Sequence, residues 1–133
     1  FLVEPIVHLM TNSVSCTSVF SQMAAIAALE GPQDSVWMMM EEFTKRRDLV
    51  VEGLNSLPGI TCPEPKGAFY AFPNIRGTGL SSQEFAEKAM YDAGVALLAG
   101  TAFGQYGDGY VRISFANSQE NLQEAIERLR TIL

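Results

Sequence analysis

Arg112 stands in the middle of an alternating run, Tyr110-Val111-Arg112-Ile113-Ser114-Phe115-Ala116. β-Branched and aromatic residues in strict alternation, following a Gly107-Asp108-Gly109 turn, predict a strand. Val111, Ile113 and Phe115 then share one face, and Tyr110, Arg112, Ser114 and Ala116 share the other. A guanidinium in a core strand is costly to bury unless it is paired. The strand alone leaves two readings open for Arg112. One is a structural ion pair with an internal carboxylate. The other is a planar fork facing an open site that awaits the carboxylate of a ligand.

Other residues that could do chemistry are few. His8 is the only histidine and has no cysteine nearby, so a solvated or locally hydrogen-bonded imidazole is expected and a metal site is not. Cys16 and Cys62 are far apart and form no metal or redox motif. Lys45 and Lys88 sit on amphipathic segments and Lys66 in a Lys66-Gly67 turn, and all three read as solvated charges. The glycines at 100, 104, 107 and 109 lead into a strand, not into a helix N-terminus, which argues against a phosphate cradle. Met38, Met39 and Met40 beside Trp37 read as core packing plus one exposed methionine, in preference to an adaptable binding surface.

The elements that must position these residues follow from pattern and punctuation. Residues 1 to 11 read as the end of one element and the start of a short helix, and residues 11 to 18 as a hydroxyl-rich loop or cap. An alanine-rich helix is expected over 17 to 29, apolar on most sides and therefore buried on more than one. After Gly31-Pro32 a long helix should run from Asp34 to Leu57, ~35 Å in length. Its buried stripe is expected at Val36, Met40, Phe43, Val50, Leu54 and Leu57.

Short strands are expected at 60 to 62 and at 68 to 72. Ser81 and Glu84 are spaced as a capping box for a helix that Gly94 would end. A strand follows at 95 to 98, then the glycine loop, the Arg112 strand and a last helix from its N-cap Ser118. The order α-α-β-β-α-β-β-α predicts an α+β fold: a two-layer sandwich with helices on one face of a small, mostly antiparallel sheet. Arg112 belongs to the other face.

Composition narrows the class. The chain has 133 residues, 47% hydrophobic and 18% charged, which suits one globular core. A net charge of −6 argues against nucleic acid as a partner. No apolar run approaches the ~20 residues of a membrane span, and no basic-then-apolar leader opens the chain. A reduced, cytoplasmic setting is the default, with a single disulfide left open. The opening Phe1-Leu2-Val3-Glu4-Pro5 has the look of the interior of a longer protein.

Six motifs stand in a familiar order: Gln22 to Leu29, Arg46-Arg47-Asp48-Leu49-Val50, Gly67-Ala68-Phe69-Tyr70, Ala93-Gly94-Val95, Gly100-Thr101-Ala102-Phe103-Gly104 and the Arg112 strand. Together they resemble the C-terminal part of a fold-type I, pyridoxal-phosphate-dependent aminotransferase of the aspartate aminotransferase type. The resemblance spans nearly the whole chain. It implies that residues 1–30 lead in from a missing large domain and that residues 31–133 form the small domain.

The resemblance also implies roles. Arg112 would bind the substrate α-carboxylate, and Gly67 would let backbone approach the substrate pocket closely. The 100 to 104 loop would border the same cleft, and residues 12 to 17 would come near the cofactor of the neighbouring subunit in a homodimer. The family's Schiff-base lysine, in a Ser-x-x-Lys setting, has no match among Lys45, Lys66 and Lys88. The expectation is thus a fragment of an enzyme that transfers an amino group between an amino acid and a 2-oxo acid. It would be inactive alone, with pyridoxal 5'-phosphate bound only in the full-length protein. Two alternatives are a free-standing α+β binding or oligomerisation module derived from that domain, and a small amino-acid-binding domain that uses Arg112.

Overall fold

A computed structural model describes all residues from 1 to 133. The chain divides into two compact units, Phe1–Trp37 and Met38–Leu133.

The first unit is helical. Helix α1 spans Val3–Ser13 and α2 spans Val19–Glu30. Residues 1 to 11 are therefore mostly one helix, which also takes in part of the hydroxyl-rich run. Pro5 is tolerated because it lies in the first turn, where an amide lacks a helical partner anyway. The end of α2 is closed by Gln33, whose side-chain amide Nε2 donates to the carbonyls of Ala28 and Gly31, each at 2.9 Å. No residue of α1 or α2 is buried. The burial expected for the alanine-rich helix is not supplied within this chain.

Helix α3, Asp34–Asn55, begins in the first unit and continues into the second. Its stripe is buried only at the C-terminal end, at Val50 and Leu54, and Leu57 just beyond is buried too. Phe43 is partly buried against the same core. Val36 and Met40 are exposed, against expectation. Met38, Met39 and Met40 are 71%, 55% and 55% exposed and Trp37 is 60% exposed, so the methionine run is surface and not core. Periodicity places Val36 and Met40 on one face, yet both stay exposed.

The second unit is an α+β sandwich. Strands β1 (Tyr70–Ala71), β2 (Leu98–Ala99) and β3 (Val111–Ser114) form an antiparallel sheet in the order β1-β3-β2. The register pairs Tyr70 with Ser114, Ala71 with Ile113, Leu98 with Arg112 and Ala99 with Val111. Helices α4 (Ser82–Tyr91) and α5 (Gln119–Arg130) complete it. The core joins Val50 and Leu54 of α3, Phe85 and Ala89 of α4, and Leu122, Ile126 and Leu129 of α5 to Ala71, Val111 and Phe115 from the sheet side. Helices thus cover one face of the sheet, as the alternation in β3 requires.

Both expected caps are formed. Ser81 and Glu84 make a reciprocal capping box on α4, and the Ser118 hydroxyl accepts from the Asn121 amide on α5. Gly94 adopts a left-handed conformation (φ 66°) just after α4. The strands are shorter than expected. The segment 60 to 62 contributes only the bridge between Thr61 and Asn74, and the strand expected over 95 to 98 is confined to Leu98–Ala99. The strand expected over 68 to 72 is shortened because Ala68 is left-handed (φ 60°), which interrupts the extended backbone. Phe69 still accepts from the Phe115 amide at 2.9 Å. Both cysteines are free: Cys16 is exposed and Cys62 buried. No helix is long and apolar enough to cross a membrane.

Candidate functional site

The uncovered sheet face carries Arg112 at the centre of β3. The sheet places it there because β3 is the middle strand and the even-numbered side chains of β3 point away from the helices. Its guanidinium is half-buried and makes no ion pair and no hydrogen bond within the chain. It rests against two rings instead. The guanidinium carbon is 4.2 Å from the Tyr70 ring centroid and 4.6 Å from that of Phe103. A depression of about 240 Å³ opens beside it, lined by Tyr70, Met90, Ala96, Leu97, Leu98, Arg112 and Ser114.

The acids that form ion pairs do so elsewhere. Arg47 donates Nε and Nη2 to Asp48 at 2.8 and 2.7 Å, and its Nη1 lies 3.1 Å from Glu64. Glu42 accepts from Gln119 at 3.1 Å and from Arg46 at 3.0 Å. Those two hydrogen bonds hold the Glu42 carboxyl below its usual range. Glu124 and Glu127 pair with Arg128 and Arg130 on α5. None of these pairs involves Arg112, so the structure contains no internal carboxylate for it.

The approach to β3 is built from two short 3-10 turns, Gly100–Phe103 and Gln105–Gly107. Gly100 and Gly107 are buried and pack backbone on backbone; a Cβ at either would fall on the other's carbonyl oxygen. Ser82, in the first turn of α4, is fully buried beneath this loop. Its hydroxyl accepts from the amides of Gly109 at 2.9 Å and Tyr110 at 3.2 Å, and donates to the Gly107 carbonyl at 3.3 Å. One hydroxyl therefore satisfies the turn that launches the Arg112 strand. Nothing in the sequence singled it out, since a serine directly after an N-cap serine has no pattern of its own.

Gly67 is exposed, and a Cβ there would meet nothing within 4 Å of this chain. It directly precedes the left-handed Ala68, a conformation costing a non-glycine residue ~1–2 kcal/mol. Among the lysines, Lys45 and Lys66 are exposed. Lys88 is not simply solvated: it is half-buried and donates to the Ile132 carbonyl at 2.7 Å, tying α4 to the end of the chain. His8 is exposed on α1. A larger groove of about 520 Å³ between α3 and α5 is lined by mixed charges from Lys45 to Arg130 and contains neither Arg112 nor Gly67.

Comparison with known proteins gives a consistent result. Residues 4–129 match the family model described as aminotransferase class I and II. An aspartate aminotransferase of Pyrococcus horikoshii is 49% identical over 116 residues, covering 86% of this chain and 30% of that protein. An aromatic-amino-acid aminotransferase 2 of Thermococcus litoralis is 44% identical over 135 residues, covering 100% of this chain and 34% of that protein. The crystal structure of an aromatic aminotransferase from Pyrococcus horikoshii superposes with a TM-score of 0.91 at 42% identity, over 98% of this chain and 35% of that one. The chain thus spans about a third of the length of the curated relatives it matches.

Proposed function

This chain belongs to the class I and II aminotransferase family, and on that premise we propose that it is the C-terminal, small-domain part of a pyridoxal-phosphate-dependent enzyme. That enzyme passes an amino group between an amino acid and a 2-oxo acid. The observation that carries the reading is Arg112, a cation on an open sheet face with no acid of its own. Its fork donates to the substrate α-carboxylate through paired N–H bonds, which fixes the orientation of the Cα–H bond for proton removal. Gly67, with open space around it, leaves room for substrate to pass close to backbone.

Pyridoxal phosphate does not fit the residues of this chain by themselves. Lys45 and Lys66 are exposed, and Lys88 is committed to a carbonyl. We assign the Schiff-base lysine and the phosphate and ring contacts to the remainder of the enzyme, so the chain alone is inactive. Residues 1–30 lead in from the large domain, and residues 31–133 form the small domain of a cytoplasmic homodimer. The uncovered apolar side chains of α1 and α2 support this, because such surface is costly to leave in water.

Two experiments test the proposal. Incubated with pyridoxal phosphate and then borohydride, the chain should acquire no stoichiometric pyridoxyl group at any one lysine; quantitative trapping at a single lysine overturns the division of labour. Propionate should shift the Arg112 side-chain resonances in the wild-type chain. The Arg112→Ala chain should bind propionate more weakly, and equal binding by both removes Arg112 from the account.

A further inference from the structure

Arg112 is held in place without being hydrogen-bonded. We propose that Tyr70 and Phe103 are positioning residues, two rings that fix the Arg112 fork while leaving its N–H donors free for an incoming carboxylate. The inference rests on the carboxylate-binding role of Arg112.

An internal aspartate or glutamate would also fix the side chain, but it would occupy the donors that a ligand needs. An aromatic ring attracts the cation through its quadrupole and presents a π face, not an in-plane lone pair. An aromatic neighbour therefore combines restraint of the cation with availability of its donors. A long side chain that is already ordered loses less freedom on binding, so the restraint appears as affinity.

The rings are themselves braced, and from separate parts of the chain. Tyr70 belongs to β1 and packs on Phe69 with centroids 4.4 Å apart. Phe103 ends the first 3-10 turn and meets Phe72 edge-on at 5.9 Å. Phe72 in turn stacks on Tyr110 at 5.5 Å and 11°. At the far end of this band Arg76 lies 5.3 Å from the Tyr110 centroid. Arg76 provides an internal contrast: it keeps similar aromatic company, but its Nη2 already donates to the Asp108 carbonyl at 2.9 Å. Between Arg76 and Arg112, only Arg112 keeps its whole fork unengaged.

The test uses the full chain with 15N-labelled arginine and propionate as the probe. In the wild type the Arg112 Nε–H should show a high order parameter on the ps–ns scale, although it has no hydrogen-bond partner. Tyr70→Leu and Phe103→Leu should each lower that order and weaken propionate binding about three- to tenfold. Tyr70→Phe should restore both. Phe103 is 50% exposed, so its leucine variant keeps the fold, which the amide spectrum verifies. A mobile Arg112 in the wild type overturns the proposal, as do leucine variants that leave order and affinity unchanged. An ordered Arg112 that the leucine variants loosen but propionate never shifts would instead remove the carboxylate role and leave the ring clamp standing.

Discussion

The Ser82 hydroxyl accepts a hydrogen bond from the Gly109 amide at 2.9 Å, across a gap of 27 residues in sequence. The same oxygen also accepts from Tyr110, whose amide keeps the Gly107 carbonyl at 3.1 Å, so truncating it strands one amide, that of the buried Gly109. Ser82→Ala is therefore expected to cost ~1–3 kcal/mol in urea unfolding. Ser81→Ala, which removes only an exposed helix cap, should cost ~1 kcal/mol. Equal costs would show that the buried hydroxyl contributes nothing beyond a cap.

The glycines divide sharply by surroundings. Gly100→Ala would drive a methyl into the Gly107 backbone, which has no flexible end to yield. A loss on the order of 3 kcal/mol or more is expected, seen as a collapsed melting transition. Gly67→Ala meets open space and should change stability by less than ~0.5 kcal/mol. In the assembled enzyme that same variant should raise KM, because the proposed close passage of substrate would be narrowed.

Ala68 should reverse the usual glycine penalty. Its φ of 60° is a conformation that glycine adopts without strain. The relief of ~1–2 kcal/mol outweighs the extra freedom that glycine gives the unfolded chain, ~0.4–1 kcal/mol. Ala68→Gly should raise the denaturation midpoint slightly. A clear fall would mean that the left-handed turn is held at no cost.

Removing Arg112 should barely touch the fold. It breaks no ion pair, and its ring contacts are worth ~0.5–2 kcal/mol. Arg112→Ala should therefore lose at most ~2 kcal/mol in chemical denaturation while losing its response to propionate. A cooperative unfolding at 25 °C would identify a structural cation instead.

Cys62 makes a prediction about pH. Burial pushes its thiol up to about 11, from an ordinary value of 9.0. The folded state thus holds the proton more tightly than the unfolded state. The resulting stability is complete below pH 9 and is lost as pH rises toward 11. Cys62→Ala should flatten that alkaline decline, measured as Tm against pH; an unchanged slope would place the decline elsewhere.

The legible parts of this fold were those written in local pattern. The alternation through Val111, Ile113 and Phe115 identified the central strand and its buried face, and the spacing of Ser81 to Glu84 identified the start of α4. Arg112 stood out as a charge inside an apolar run. What local pattern cannot say is what lies opposite a side chain. Val36 and Met40 continue the α3 stripe, yet they are exposed because a stripe records which residues share a face and not what covers it. The rings against Arg112 were equally hidden, because residues 70, 103 and 112 meet only when the sheet forms. The Lys66-Gly67 turn was legible, but nothing in the pattern says that Ala68, and not the glycine, takes its left-handed angle.

Asn55, at the end of α3, donates Nδ2 to the Cys62 carbonyl at 2.9 Å and accepts the Cys62 amide on Oδ1 at 2.8 Å. The next residue back, Thr61, exchanges both backbone bonds with Asn74, and Asn74 bridges to Tyr110 at the head of β3. A linkage of hydrogen bonds therefore runs without a gap from the helix end to the strand that carries Arg112. A shift at this end of α3 meets the Arg112 strand through paired hydrogen bonds at every step, without crossing an unpaired stretch of backbone.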